Sequence, residues 1–239
     1  MKIGVIQASS VQSAVNLTER ALKEGARIVL LPEQWAVSFD FVPVSEFQRL
    51  ARLYTSSLVL GAFNDGVSVI SPIISHNGNI IGVAKKVHVE GSSLVPGTEI
   101  LAFKHMGSKV GVVISDDIYY PEISVSVVKS NLDILLVPSA VGHEELNDWK
   151  CVMRLRAKET GSVIVNANSY IPPKGVGHST VFIPYLEERR IEVQEKELLT
   201  EGEGYAVFEV DLTKILPVKG LKALSSKDLN VRVIDDQPR

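Results

Sequence analysis

The 239-residue chain carries a formal net charge of -3 and is 45% hydrophobic and 22% charged, a composition of globular type that argues against nucleic acid or an anionic membrane as partner. Its one cysteine, Cys151, excludes an internal disulfide and suits a reducing compartment. No apolar run approaches the roughly 20 residues that span a bilayer, and the chain enters a strand at MKIGVIQASS without a basic-then-apolar leader, so a soluble, cytoplasmic protein is expected.

Residues 2–8 read as a buried strand. Ser9 or Ser10 can cap a helix whose apolar face holds Ala14, Leu17, Ala21 and Leu22, with Gly25 to end it. A second buried strand, 28–31, stops at Pro32 and leaves Glu33 just past its end. A loop with Trp35, Phe39, Phe41 and Pro43 leads to a helix over about 45–56. Strand signals then crowd at 58–63, 67–74 and 80–87, joined by Asn64-Asp65-Gly66 and His76-Asn77-Gly78-Asn79, both of which are hairpin chemistry. Lys85-Lys86-Val87-His88 closes the third strand, and a loop over 90–97 precedes a strand at 100–103.

The apolar run 110–114 ends abruptly at Ser115-Asp116-Asp117. Pro121 suits a first helical position, and Glu122 suits the positive end of the helix that follows. By itself this is a strand-to-helix turn whose Ser and Asp side chains satisfy backbone groups. Ile123, Val127 and Val128 share a face of that helix, and 133–138 is another buried strand. Asp148 can cap a helix carrying Trp149, Val152, Met153 and Ala157, ended by Gly161. Strands are expected at 162–167, 181–184, 191–194 and 205–211, and 213–239 reads as an extended tail. The alternation predicts one compact α/β domain with an internal echo, strand–helix–strand at the start and again after Ser115.

Glu33, Lys86 and Ser115 each sit where a strand-like run ends, and in an open α/β sheet such ends line one edge. A carboxylate base, an ammonium to hold an oxyanion and a nucleophile-sized residue make an acyl-transfer kit. Taken singly, Glu33 and Lys86 read as solvated loop charges. A serine-hydrolase triad using His178 or His88 lacks the glycine–x–serine–x–glycine elbow. His143-Glu144-Glu145 has no second histidine at ligand spacing, and Lys85-Lys86 is too short a basic run for nucleic acid. No metal and no cofactor are expected.

Together the motifs say more. Leu31-Pro32-Glu33, Lys86-Val87-His88-Val89, Val110 to Asp117 and Tyr120-Pro121-Glu122 resemble, in order, the signature of the nitrilase, or carbon–nitrogen hydrolase, superfamily. Asn77-Gly78-Asn79-Ile80-Ile81-Gly82 before the lysine, Pro96-Gly97, Arg156-Ala157-Lys158-Glu159 and Gly177-His178-Ser179 extend the resemblance, which runs from Lys2 to about Leu212. It implies an αββα four-layer sandwich and hydrolysis of small amides or nitriles through a covalent acyl-enzyme. Glu33 would be the base and Lys86 the oxyanion-holding lysine. Residue 115 would be the nucleophile, with the backbone amide of Asp116 as second oxyanion donor. Glu90 is the nearest match to a supporting glutamate, and Tyr119 and His143 are candidates for the pocket lining. The resemblance also implies a homodimer or higher homo-oligomer.

One position departs from the pattern, because Ser115 stands where the family has cysteine. A hydroxyl is a far weaker acid than a thiol of pKa about 8.5, so a carboxylate suited to a thiol ionises it poorly. Cys151 lies inside a helix and cannot substitute. Three origins are open: an introduced cysteine-to-serine change, a natural pseudoenzyme that binds without turnover, or a working serine.

Overall fold

The computed structural model describes residues 1–89 and 93–225; Glu90 lies outside the described residues. Strand β1 (Lys2–Gln7), helix α1 (Val11–Lys23), β2 (Ile28–Leu30), α2 (Val44–Tyr54) and β3 (Ser57–Val59) make two successive strand–helix–strand units with parallel strands. Antiparallel β4 (Phe63–Asn64), β5 (Val69–Ile74) and β6 (Ile80–Lys85) extend that sheet. The pattern then returns. A hairpin of β7 (Ala102–His105) and β8 (Ser108–Val112) leads through α3 (Pro121–Ser130), β9 (Ile134–Ser139), α4 (Leu146–Thr160) and β10 (Val163–Asn168), again with β8, β9 and β10 parallel. A small ribbon, β11 (Tyr170–Ile171) and β12 (Gly175–Val176), precedes the meander β13 (Thr180–Glu187) and β14 (Arg190–Glu197). Finally β15 (Gly204–Glu209) crosses back and pairs antiparallel with β1, from Lys2 opposite Glu209 to Gln7 opposite Gly204. The expected echo is therefore present, one copy in each sheet.

Strand alternation builds the four layers. In β1 and β2, Ile3, Val5, Ile28 and Leu30 turn inward to meet Val110, Val112, Ile134, Leu136, Val163 and Val165 of the second sheet. The alternate residues of the first sheet, Ile6, Val29 and Leu31, turn outward onto Ala14, Leu17 and Ala21 of α1 and Phe47 and Leu50 of α2. On the other side Leu135, Val137 and Ile164 turn out onto Ile123 and Val127 of α3 and Trp149 and Met153 of α4. The central strands of both sheets are thus buried on both faces, which is why they read as unbroken apolar runs. Ser10 caps α1 and forms a reciprocal pair with Ser13.

The structure departs from expectation in three places. Helix α4 begins at Leu146 with Glu145 as its cap, so Asp148 lies inside the first turn, where its charge faces the helix's positive end. The run 58–63 breaks after β3, because Gly61 at φ +88° turns the chain toward β4. Residues 212–225 are helical rather than an extended tail: a 3-10 turn over Leu212–Ile215 leads into α5 (Leu216–Ser225), and Ile215 and Val218 are fully buried. Pro217 sits in the first turn of α5, where a missing N–H costs little. Residues 226–239, the remainder of the expected tail, lie outside the described residues.

Gly61 also fixes the entry to the site. A Cβ there would fall 1.8 Å from the carbonyl oxygen of Pro32, on the segment that carries Glu33. Gly61→Ala is expected to destabilise the protein by about 3 kcal/mol or more, since it combines a positive φ with a backbone clash; a urea denaturation midpoint reads this directly.

Candidate active site

Glu33, Lys86 and Ser115, separated in sequence, meet where strands of both sheets end. Beyond β2, Glu33 makes an isolated parallel bridge with Ala62 and donates its backbone N–H to the Ser139 carbonyl at the end of β9 (3.2 Å). This main-chain bond ties the first sheet to the second at the site. Gln34 follows at φ +58°. Trp35 locks the loop behind it, its indole N–H donating to Leu60 O (2.8 Å) and its ring packed against Phe47 and Phe63. Lys86, just past β6, donates its backbone N–H to Val69 O (2.9 Å) and accepts from Gly97 N (2.7 Å).

Ser115 opens a 3-10 turn, Ser115–Tyr119, and its φ of +51° is one a non-glycine residue rarely adopts. Such strain in a side chain displayed at the carboxyl edge of a sheet is a common property of nucleophile positions. Two devices hold the turn in place. The Asp117 carboxylate, 2% exposed, accepts the main-chain N–H groups of Val87 and His88 (both 2.8 Å), joining the lysine segment to the turn. From α4, Arg156 donates through Nε to Ile118 O (2.8 Å) and through a terminal nitrogen to Tyr119 O (2.7 Å). Its other terminal nitrogen pairs with Glu159, which also accepts from Ser124. Arg156→Ala would strand one buried and one partly buried carbonyl and is expected to cost about 2–4 kcal/mol, read as a lowered denaturation midpoint.

The electrostatics centre on Glu33. Its burial pushes the carboxyl up to about 7; the hydrogen bond with Ser115 and the Lys86 ammonium act against this, and the nearby Asp116 carboxylate adds to it. The Lys86 ammonium is itself ion-paired with the Asp116 carboxylate. A carbonyl oxygen seeking Lys86 must therefore compete with Asp116, a side chain that the sequence marked only for its backbone amide.

Beside this cluster lies a cleft of about 770 Å³ lined by Gln34, Ala140, Gly142, His143, Glu144, Glu145, Pro173 and Lys174. The loop that lines it is held from behind by Asn168, fully buried at the end of β10. That amide oxygen accepts from Ser139 and from Val141 N, and the amide nitrogen donates to Val141 O and Gly177 O. All of its bonding capacity is spent on tying the end of β9 and the loop after it to Gly177, just past β12. His143 stands exposed at the cleft wall, its ring 6.5 Å from that of His178. Tyr119, 39% exposed, packs its edge against Trp149; burial and then the negative charges of Glu145, Asp148 and Asp116 raise its hydroxyl pKa. Asn166 and Asn168 were legible only as amides inside the otherwise apolar strand VIVNAN.

Similar proteins share this architecture. Saccharomyces cerevisiae Nit3, a member of branch 10 of the nitrilase superfamily, superposes with a TM-score of 0.77 at 23% identity, over 95% of this chain and 96% of that one. An amidase from Nesterenkonia sp. superposes at 0.71 with 20% identity, over 90% and 92% of the two chains. That amidase is also known as a cysteine-to-serine mutant, and a further mutant carries the acetamide moiety of fluoroacetamide covalently added at the active site cysteine. In sequence, the deaminated glutathione amidase of Bos taurus is 25% identical over 218 residues, which is 73% of this chain. The match takes in 65% of that relative, a little under two thirds of its length. Residues 5–187, most of both sheets and every residue of the cluster, match the carbon-nitrogen hydrolase family model: the chain belongs to the carbon-nitrogen hydrolase family.

Proposed function

We propose that this protein is an amidase-type hydrolase of non-peptide C–N bonds in small amides or nitriles, acting through a covalent acyl-enzyme. The observation that carries the reading is the buried Glu33 carboxyl, raised to about 7 and hydrogen-bonded to the side chain of residue 115 beside the Lys86 ammonium. A base works best when its pKa lies near the operating pH. As carboxylate, Glu33 takes the proton of residue 115 while that residue attacks the amide carbon. The oxygen of the tetrahedral intermediate gains charge against Lys86, which exchanges Asp116 for it, and against the backbone N–H of Asp116. Glu33 returns the proton to the leaving nitrogen, ammonia departs, and water activated by the same carboxylate cleaves the acyl-enzyme.

With a thiol at position 115, transfer to a group of pKa about 7 is uphill by about 2 kcal/mol; with the Ser115 hydroxyl it is far steeper, so the chain as it stands is slow. The bovine relative's amidase activity and the covalent adduct on the Nesterenkonia cysteine are consistent with amide chemistry at this position. The test is ammonia release from a panel of small amides and nitriles by the full chain carrying Ser115→Cys. Release from at least one supports the reading; a folded variant that releases none from any sinks it.

A further inference from the structure

His88 has no part in the reaction just described, yet it stands between its two halves. It lies two residues beyond Lys86. Its Nδ1 is 2.9 Å from the Asp117 carboxylate and its Nε2 is 2.9 Å from the Glu122 carboxylate. Its ring stacks on Tyr120 with centroids 3.4 Å apart and planes 5° from parallel. Asp117 belongs to the turn that Ser115 opens, and Glu122 lies in the first turn of α3. One imidazole thereby clamps the lysine segment to the turn of position 115 and to the helix behind it.

The partners dictate the protonation of that ring. A neutral imidazole donates from one nitrogen only, whereas ionised carboxylates only accept. Two carboxylates on two ring nitrogens therefore call for an imidazolium. Burial pushes the Asp117 carboxyl up, and the N–H groups of Val87 and His88, which its oxygens accept, work against that rise by favouring the carboxylate. The charged groups acting on His88 are Asp117 and Glu122, while Arg156 from α4 acts on Glu122. Desolvation lowers the His88 pKa, and the bonds to the two carboxylates outweigh it, so the net direction is upward from 6.5.

We infer that His88, as an imidazolium, is a positioning residue that holds Lys86 against the turn of residue 115, so that the site is assembled in a proton-dependent way. The inference rests on the proposed roles of Lys86 and residue 115, but its test needs no turnover. As pH rises through the raised His88 pKa, the ring loses its charge and one donor. The buried Asp117 then keeps its negative charge without a counter-charge, and the clamp slackens. The reactivity of a thiol placed beside Lys86 should follow that change, because an adjacent ammonium lowers a thiol pKa.

The experiment uses the full chain with Ser115→Cys and measures the alkylation rate of the introduced thiol by iodoacetamide between pH 5.5 and 9.5 (an assay range of about four units). Peptide mass mapping separates it from the exposed Cys151. In parallel, NMR of the ring nitrogens follows the His88 titration in the same protein. The expected result is a His88 midpoint above 6.5 and an alkylation profile with three transitions, one tracking His88, one belonging to Glu33 at about 7 and one to the thiol. Adding His88→Phe keeps a ring to stack on Tyr120 but removes both donors. It should erase the transition that tracks His88, leave that of Glu33, and slow alkylation at pH 7 about fivefold, a thiol pKa rise of about 0.7 unit. His88→Asn, whose amide can replace Nδ1 toward Asp117, should recover part of the rate without pH dependence from residue 88. A His88 midpoint at or below 6.5 would overturn the inference, as would a His88→Phe profile within twofold of its parent. If His88→Phe does not fold, co-titration of His88 and the thiol in the parent decides.

Discussion

Ser115→Cys is expected to raise amide hydrolysis by roughly 10³-fold, about 4 kcal/mol off the barrier. On the proposed mechanism, the site suits a thiol better than a hydroxyl. Glu33 at about 7 lies 1.5 units below an ordinary thiol of about 8.5, a gap that hydrogen bonding in the transition state can close. No comparable match exists for a serine hydroxyl, a far weaker acid than a thiol. Sulfur replaces oxygen with little change of volume, so the fold and the φ of +51° at this position should be kept. Single-turnover ammonia release, with the acyl-enzyme followed by intact mass, measures the gain. Equal rates for the two side chains would mean that Ser115 is itself the working nucleophile, and the account of Glu33 as a base tuned to a thiol would fail.

Glu33→Gln should separate activity from stability. Loss of the base is expected to cost 10²–10⁴-fold in turnover, roughly the contribution of a positioned proton acceptor. Stability should move the other way. The Glu33 pKa rises from 4.5 to about 7 on folding, so between those values the native state binds the proton more tightly than the unfolded chain. Stability is then full below about 4.5, falls as pH rises toward 7 and stays reduced above it. The shift corresponds to about 3 kcal/mol at most, and glutamine at this position never ionises. The variant should therefore gain up to about that amount relative to its parent at pH 8 and nothing at pH 4. Urea unfolding at the two pH values checks the sign. In the parent, the same ionisation should make kcat/KM fall as pH drops through 7, because only the carboxylate can accept the proton.

Much of this was legible in the sequence, for identifiable reasons. The central strands of both sheets are buried on both faces, so β1, β2, β8 and β9 announce themselves as continuous apolar runs, and each polar residue that ends a run stands out. Glu33, Lys86 and Ser115 were found that way, and the αββα layering followed from the resemblance of their surroundings. What escaped was side-chain geometry. Nothing in Ser-Asp-Asp says that the first aspartate turns to Lys86 and the second to His88. The start of α4 was misplaced because Asp148 is a better capping residue by type than Glu145, while the helix follows the apolar face of Trp149 and Met153 upstream to Leu146. The helix at 216–225 was missed because the buried residues around its start, Ile215 and Val218, straddle Pro217, which reads locally as a stop.

The pairing of β1 with β15 carries a consequence for biosynthesis. Residues 2–7 leave a ribosome well before residues 204–209, their neighbour on the outer side. At translation rates of 5–20 residues per second, the nascent first strand waits roughly 10–40 s for that partner. Throughout this interval an unpaired, largely apolar edge is available to other chains, and exposed edges of this kind template association. The half of the molecule that carries Glu33 and Lys86 is thus made first and closed last. Crowded or slowed synthesis should lower the yield of soluble protein more than the stability of the finished fold would suggest.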